Sequence, residues 1–286
     1  MKKITKADFP PLLNEISDPP PFLYIEGDLP DPIENKYLAV VGARKNSSYG
    51  KEALLKLISG LRGYPIVIVS GLAIGIDSIA HEAALENNLK TVAVPGSGLN
   101  EDVLYPASNR NLAKKILKND GALISEFEPN FRATPYSFPQ RNRIMAGISH
   151  AVLVIEAEKK SGTLITARLA LDYNRDVLTV PGSIFSKMTE GPHYLIKNGA
   201  TPITESKDIL ETLGFATENI PKNLELEMEN CSPEEKKILN MLNEPLQRDD
   251  LLRALQMPIH EANALLSAME IKGMIKETMG EIRVCM

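Results

Sequence analysis

The sequence predicts an α/β fold: an extended Rossmann-like, doubly wound and mostly parallel sheet, followed by a small winged-helix domain. Three observations support this prediction. Short runs rich in β-branched residues recur through the first two thirds of the chain, and they are almost wholly apolar, which is typical of parallel strands buried on both faces. Each run is followed by Gly, Ser or Pro and then by a helical pattern. The last part of the chain carries three short helical patterns and a hairpin pattern.

Composition limits the class of protein. Of 286 residues, 43% are apolar and 24% are charged, which are ordinary globular values, and the net charge is −5. Any grip on a polyanion must therefore come from a local cluster of cations. Neither Cys231 nor Cys285 belongs to a CxxC pair, so we expect no metal site and a reducing, cytoplasmic location. No run approaches the ~20 apolar residues of a membrane span, and we expect no cofactor.

The predicted domains follow the chain in order. Residues 1–36 are rich in proline and predict an extended strap with one short strand at Phe22–Glu26. Residues 37–213 predict the Rossmann-like domain. Its predicted strands are Tyr37–Gly42, Ile66–Ser70, Thr91–Val94, Ala122–Ser125, Ala151–Glu156 and Val177–Val180. Its predicted helices are Gly50–Leu61, Asp77–Glu86, Ser108–Lys118, Gln140–Gly147, Thr163–Tyr173 and His193–Asn198.

The C-terminal part of the sequence predicts a linker and a second domain. Residues 214–231 are acidic and lose the alternating pattern, which predicts a linker. Residues 232–286 predict the winged helix, and Ser232 starts it as a helix N-cap followed by proline and two acids. The predicted elements are helices Pro233–Leu242, Arg248–Leu255 and Ile259–Lys272 and hairpin strands Met274–Thr278 and Glu281–Cys285.

Glycine-rich loops follow most of the predicted strands. In a doubly wound sheet, ligands bind at the carboxyl ends of the strands. Glycine lets a backbone approach a phosphate closely, helix N-termini offer free N–H groups, and Ser, Thr and Arg side chains add donors. One such loop alone is more often only a tight turn, but five on one edge predict an anion-binding shelf. The loops are Val41–Gly50, Ser70–Asp77, Pro95–Gly98, Lys159–Thr163 and Pro181–Ser183.

The most distinctive segment is Phe138–Ser149, in which Arg141 and Arg143 flank Asn142 near a predicted helix start. Arginine binds phosphate, asparagine can pair with a base edge, and phenylalanine can stack on a base. The alternative is structural: Phe138 lies in the core, and Arg141 pairs with a carboxylate such as Asp77 or Glu156. One of the two arginines can be structural while the other binds a ligand.

Motifs typical of catalysis are missing from the sequence. It has no GxSxG elbow, no GxxxxGK[ST] loop and no HExxH helix, and Gly42-Ala43-Arg44 stands where a dinucleotide-binding protein carries GxGxxG. His81 follows the predicted turn at Asp77, and we expect it to pack and form hydrogen bonds rather than to act as a base. We therefore expect a protein that is not an enzyme.

Six segments together closely resemble the DprA/Smf family of DNA-processing proteins. They are Gly42–Arg44, Ser70–His81, Tyr105–Asn109, Phe138–Ser149, Ser161–Ala167 and Val180–Gly182. They occur in order and at family spacing. The resemblance implies an extended Rossmann domain that binds single-stranded DNA, forms a homodimer and helps to load the RecA recombinase during natural transformation or recombination, with no established catalytic reaction.

The resemblance also implies roles for individual residues. The arginine of the family's Gly-Ser-Arg motif, a phosphate ligand, corresponds to Arg44, although Ala43 replaces the usual serine and removes one hydroxyl donor. Asn174 stands where the family often has glycine, at a helix end where asparagine tolerates a left-handed backbone. The full set expected to bind single-stranded DNA is Arg44, Ser70, Gly71, Gly75, Arg110, Phe138, Arg141, Asn142, Arg143, Ser161 and Gly162.

Three further expectations remain open. Candidate dimer contacts lie on the segment Pro192–Pro202, where ordinary core packing is an equally good interpretation; they are His193, Leu195, Ile196 and Pro202. An alternative function is a nucleotide-processing enzyme similar to the phosphoribohydrolases, which Pro95–Gly98 matches in part, but the catalytic glutamate beside Ser161–Thr163 is missing. A duplex-DNA regulator is disfavoured, because residues 231–286 carry seven basic and nine acidic residues, which favours a protein-contact role for the winged helix.

Overall fold

The computed structural model describes residues 1–216, 232–242, 246–255, 257–272, 274–278 and 280–284. The chain divides into two compact units, Met1–Glu218 and Asn219–Met286. Most of the predicted acidic linker, together with Cys231 and Cys285, lies outside the described residues.

A nine-stranded sheet forms the centre of the first unit. Its strands are β1 (Lys2–Thr5), β2 (Phe22–Gly27), β3 (Lys36–Val41), β4 (Ile66–Ser70), β5 (Lys90–Ala93), β6 (Ala122–Ser125), β7 (Ala151–Val154), β8 (Asp176–Thr179) and β9 (Thr201–Pro202). The strand order is β1-β2-β6-β5-β4-β3-β7-β8-β9. The pairs β1–β2 and β2–β6 are antiparallel and the other pairs are parallel, which confirms the mostly parallel, Rossmann-like prediction.

The chain reverses its direction across the sheet between β3 and β7. After β3 it adds β4, β5 and β6 on one side, and then it returns to place β7 on the other side of β3. Loops on the two sides of this switch point diverge, so a crevice opens at the carboxyl ends of β3 and β7.

Helices cover both faces of the sheet. They are α1 (Pro11–Asn14), α2 (Ser48–Ser59), α3 (Ile76–Glu86), α4 (Arg110–Lys118), α5 (Ser137–Ile148), α6 (Thr163–Asp172), α7 (Glu190–Lys197) and α8 (Ser206–Thr212). Helices α1, α5, α6 and α7 share one apolar core with the sheet. Helices α2, α3, α8 and α4 pack on the opposite face. Alternate residues of each strand enter the two cores, which explains why the strands are almost wholly apolar.

The N-terminal segment is more regular than an extended strap. Strand β1 pairs with β2, and the short α1 packs against α5 with Leu13 fully buried. Arg175 holds this segment against the Rossmann-like domain. Its guanidinium donates to the Leu12 carbonyl at 2.8 Å and forms an ion pair with Glu15 at 3.0 Å. The segment therefore completes the sheet edge and the core under α5.

Two C-terminal elements of the first unit were not predicted. Strand β9 is only two residues long. Helix α8 begins with a capping box, in which the Glu205 side chain accepts from the backbone of Asp208 and the Asp208 side chain accepts from that of Glu205. Asn174, after α6, adopts φ +57°, so the left-handed position expected there is confirmed.

The second unit is a winged helix, as predicted. It contains α9 (Pro233–Met241), α10 (Arg248–Leu255), α11 (Ile259–Ile271) and a sheet of order β10-β12-β11, formed by Leu246–Gln247, Glu281–Val284 and Ile275–Thr278. The capping box predicted at Ser232 is present, with Glu235 as its partner. Among the described residues of both units, no helix is both long and apolar enough to cross a bilayer.

Candidate functional site

A cleft of about 450 Å³ opens at the switch point between β3 and β7. Its walls are the loop after β3, the start of α5 and the start of α6. Six of the eleven residues expected to bind single-stranded DNA line it: Arg44, Phe138, Arg141, Asn142, Ser161 and Gly162. The other five lie around or behind it.

The loop after β3 is held by neighbouring elements on each side. The Gly42 carbonyl accepts from the Thr163 hydroxyl at 3.1 Å, and the Ala43 carbonyl accepts from the Ile76 amide at 3.2 Å. Ser47 caps α2, and both its amide and its hydroxyl donate to the carboxylate of buried Glu156. The loop that carries Arg44 is therefore fixed before any ligand arrives.

Gly75 and Ser70 shape this loop without entering the cleft. Gly75 has φ +84°, and a Cβ there would lie 2.5 Å from the carbonyl oxygens of Ala43 and Arg44, so only glycine fits. The Ser70 hydroxyl is fully buried and donates to the Val40 carbonyl at 2.7 Å. Both residues therefore support the site from behind.

Arg44 is exposed at the mouth of the cleft. Its guanidinium carbon lies 5.1 Å from the centre of the Phe138 ring, a cation–π arrangement. Phe138 is half-buried, so it is neither wholly core nor free. Its ring also contacts Tyr105, with ring centres 5.6 Å apart. A guanidinium and an aromatic surface thus stand side by side at the entrance.

A pair of buried side chains with opposite charges, Arg141 and Asp77, underlies the cleft. Arg141 and Asp77 are 4% and 7% exposed, and the Asp77 carboxylate accepts from the Gly71 amide at 3.1 Å. Burial raises the pKa of Asp77, and the charge of Arg141 opposes that rise. Burial lowers the pKa of Arg141 to about 10, which leaves it charged at neutral pH. A Cβ on Gly71 would meet the Arg141 guanidinium at 1.9 Å, so glycine is needed there as well.

Arg143 faces away from the cleft. Its guanidinium donates to Glu126 and to the carbonyl of Asp18, in the N-terminal segment. Residues two apart on a helix point in nearly opposite directions, so only one of the two arginines of α5 can face the ligand. Arg110 also lies outside the cleft lining and donates to the Asp102 carbonyl at 2.6 Å.

The start of α6 forms the opposite wall. The Ser161 hydroxyl accepts from the Thr163 amide at 3.2 Å, and the space beside Gly162 is open, because a Cβ there would meet nothing within 4 Å. Lys160 also lines the cleft. A helix N-terminus with an adjacent lysine favours a negatively charged ligand.

Asn142 and His81 have different environments. Asn142 lines the cleft and is 8% exposed. His81 lies behind it, fully buried, with Nδ1 2.7 Å from the Thr91 hydroxyl. Burial lowers the pKa of His81 to about 3, so its ring is neutral at physiological pH. Its expected packing role is confirmed.

The candidate dimer residues separate into two groups. Leu195 is 5% exposed and belongs to the core, which was the alternative interpretation. His193 lies close to the Gly182 carbonyl, with Nε2 at 3.1 Å, and Ile196 is partly exposed. Pro202 is exposed on the edge strand β9.

Comparison with known proteins identifies the family. The family model of DNA recombination-mediator protein A matches residues 1–214, and that of the DprA winged helix domain matches residues 224–281. Protein Smf of Escherichia coli is 44% identical over 213 residues, which cover 74% of this chain and 56% of the relative. DNA processing protein DprA of Streptococcus pneumoniae is 44% identical over 203 residues, with 71% and 70% covered. The chain thus spans little more than half the length of the first relative.

Solved structures show the same fold. The X-ray structure of DprA from Streptococcus pneumoniae has a TM-score of 0.69 and 40% identity, and covers 75% of this chain and 74% of its own. DNA processing protein A from Helicobacter pylori, solved for its single-stranded DNA binding mode, has a TM-score of 0.66 and 30% identity, with 74% and 96% covered. This chain is a member of the DNA recombination-mediator protein A family, known as DprA or Smf.

Proposed function

We propose that this chain binds single-stranded DNA in the cleft at the switch point. The observation that carries the proposal is the exposed Arg44 guanidinium, 5.1 Å from the Phe138 ring, facing the open start of α6. Arginine and a helix N-terminus suit a phosphate, and an aromatic surface suits an unpaired base. In a duplex the base faces are stacked and hidden, so this combination favours single strands.

The related protein of Helicobacter pylori supports the proposal, because its structure was solved for a single-stranded DNA binding mode and its fold covers 74% of this chain. Within the predicted ligand set, Arg44, Phe138, Arg141, Asn142, Ser161 and Gly162 would line the strand. Ser70, Gly71, Gly75 and Arg143 would act indirectly, through the loops and helices that they hold in place.

The test is fluorescence anisotropy of a labelled oligothymidylate across a salt series. Replacing Arg44 with alanine should cost about 1.5–3 kcal/mol of binding free energy, as for other charged hydrogen-bond donors. The slope of log affinity against log salt should fall by about 0.7 for each phosphate that the variant no longer neutralises. Arg253→Ala, an exposed arginine of the winged helix, is the control and should bind like the wild type. Equal binding by Arg44→Ala would remove the cleft from consideration.

The proposed role extends to a recombinase. We propose that the bound strand is passed to a RecA-type recombinase during DNA uptake or recombination, in the cytoplasm. The measurement is the rate at which recombinase filaments start on an oligonucleotide in the presence of this chain. Wild type should raise that rate and Arg44→Ala should not. Equal rates with and without the protein would reject this role.

We also propose that the chain forms a homodimer through the exposed part of segment 192–202. His193, Ile196 and Pro202 remain available there, whereas Leu195 is committed to the core. Ile196→Glu should shift the protein towards monomer in analytical ultracentrifugation. Ile33→Glu, at an exposed isoleucine outside this segment, controls for the added charge. A wild type that sediments as a monomer at all concentrations would reject the dimer.

The winged helix is proposed to contact protein rather than duplex DNA. Two of its cations are held by internal ion pairs: Arg248 pairs with Glu277, and Lys272 pairs with Glu235 at 2.6 Å. Helix α11 instead exposes Ile259 and other apolar surface. Micromolar binding of a duplex by residues 231–286 at physiological salt would overturn this assignment.

We propose that the protein is not an enzyme, with a nucleotide-processing activity as the alternative. A direct test is incubation with nucleoside monophosphates, followed by chromatography of the products. Release of free base that disappears in Arg44→Ala would favour the enzyme.

A further inference from the structure

We propose that Tyr105 is a second base-stacking surface, so that the site holds two successive bases of a single strand, one against Phe138 and the next against Tyr105. This inference rests on the proposed function and adds the size and the chemistry of the ligand. It starts from the contact between the two rings, whose centres are 5.6 Å apart at an angle of 53°.

Tyr105 is more exposed than its neighbour in the ring pair. It is 46% exposed, whereas Phe138 is half-buried, with the Arg44 guanidinium and the backbone of Gly96 both close to its ring. A Cβ on Gly96 would lie 2.6 Å from the Phe138 ring, so the Gly96 backbone already packs closely against that part of the ring. A large aromatic side chain left open next to a cationic cleft is available to stack on an unpaired base.

The backbone that carries Tyr105 is fixed. The Tyr105 amide donates to the hydroxyl of fully buried Ser97 at 3.2 Å, and the Ser97 carbonyl accepts from Ser125 at 2.7 Å. Further along the same loop, the Asn109 amide group donates to the Leu72 carbonyl at 2.8 Å. The ring is therefore pre-positioned, and stacking on it requires little ordering of the protein.

The ring spacing and tilt select the form of the ligand. Stacked bases in a duplex lie about 3.4 Å apart and parallel. Rings 5.6 Å apart and tilted by 53° fit two bases that have separated from each other, which a flexible single strand permits. The pair Phe138–Tyr105 would thus add to the discrimination against duplex DNA.

The test is a cycle that combines Tyr105→Leu with single abasic sites. The ligand is the shortest oligothymidylate that the wild type binds with full affinity, so that the strand cannot slide. Loss of one base stack should weaken binding about five- to 150-fold. At the nucleotide that stacks on Tyr105, an abasic site and Tyr105→Leu should each cause this loss of affinity. The two changes combined should cause no greater loss than either one alone. Phe138→Leu should show the same behaviour at the adjacent nucleotide.

Two variants separate stacking from folding. Tyr105→Phe keeps the ring and should bind like the wild type. Leu171→Ala removes an apolar side chain of similar exposure, 50%, near the C-terminal end of α6 and away from the cleft lining, and should also bind normally. If the fold-loss of affinity from Tyr105→Leu multiplies with that from an abasic site at every nucleotide position, the two changes are independent and Tyr105 is not a stacking surface. If the wild type ignores single strands altogether, the proposed function fails first.

Discussion

Replacing Asp77 with asparagine removes a negative charge from the buried pair under the cleft while keeping the size of the side chain. Arg141 would then remain charged at 4% exposure without its acidic partner. Breaking a buried pair on one side typically costs about 3–5 kcal/mol. The asparagine oxygen can still accept the Gly71 amide now held at 3.1 Å, so we expect a loss near the lower end, about 3 kcal/mol.

Tyrosine fluorescence during urea unfolding suits this measurement. All eight tyrosines lie within residues 1–218, and the chain has no tryptophan, so the signal reports on the first unit alone. Asp172→Asn, at an exposed position, is the control and should stay within about 0.5 kcal/mol of the wild type.

A double variant shows whether the pair is the cause. Removing Arg141 together with Asp77, as Asp77→Asn with Arg141→Met, should recover part of the lost stability, because no unpaired charge remains buried. An unchanged unfolding free energy in Asp77→Asn, or destabilisations that simply add in the double variant, would refute the reasoning.

Three further predictions concern the first unit. Gly75→Ala should weaken both folding and the binding of single-stranded DNA, because the added Cβ would collide with the loop that carries Arg44 and the positive φ would cost about 1–3 kcal/mol of backbone strain. Gly199 also has a positive φ but lies in open space, so Gly199→Ala should affect folding alone. Glu156→Gln weakens the cap at Ser47, so binding of single strands should fall with little change in salt slope. Burial lowers the pKa of His150 to about 4 in the folded chain, so as pH falls the unfolded chain binds a proton at this residue before the folded chain does. The free energy of unfolding should therefore fall as pH drops from about 6.5 to about 4. In urea unfolding, His150→Asn should show a shallower decline over this range of pH.

The sequence predicted the parallel strands well because burial on both faces leaves a strong local pattern. Ile66–Ser70 and Ala122–Ser125 have the predicted bounds, and each is followed or preceded by a turn residue. Strand β1 has one buried apolar residue, Ile4, and owes its structure to pairing with β2. Such a long-range partner leaves no local signal.

Two other features do have a local signal in the sequence. The segment from Glu205 to Asp208 contains the acceptors of a capping box, and helix α8 follows it. The positions of Arg141 and Arg143, two apart on a helix, already required that they face opposite sides. Which of them faces the cleft depends on Asp77 and Glu126, which lie on other elements, and could not be predicted from α5 alone.

The ends of the nine-stranded sheet restrict how two copies of this chain can meet. At one end, β9 has two residues, and Pro202 lacks the N–H group that a further strand would need. At the other end, β1 carries exposed Lys2 and Lys3, whose charges repel a like edge. Open-ended stacking of sheets into fibres is therefore disfavoured at both margins. Any self-association of this chain should therefore rely on side-chain packing rather than on pairing between strands.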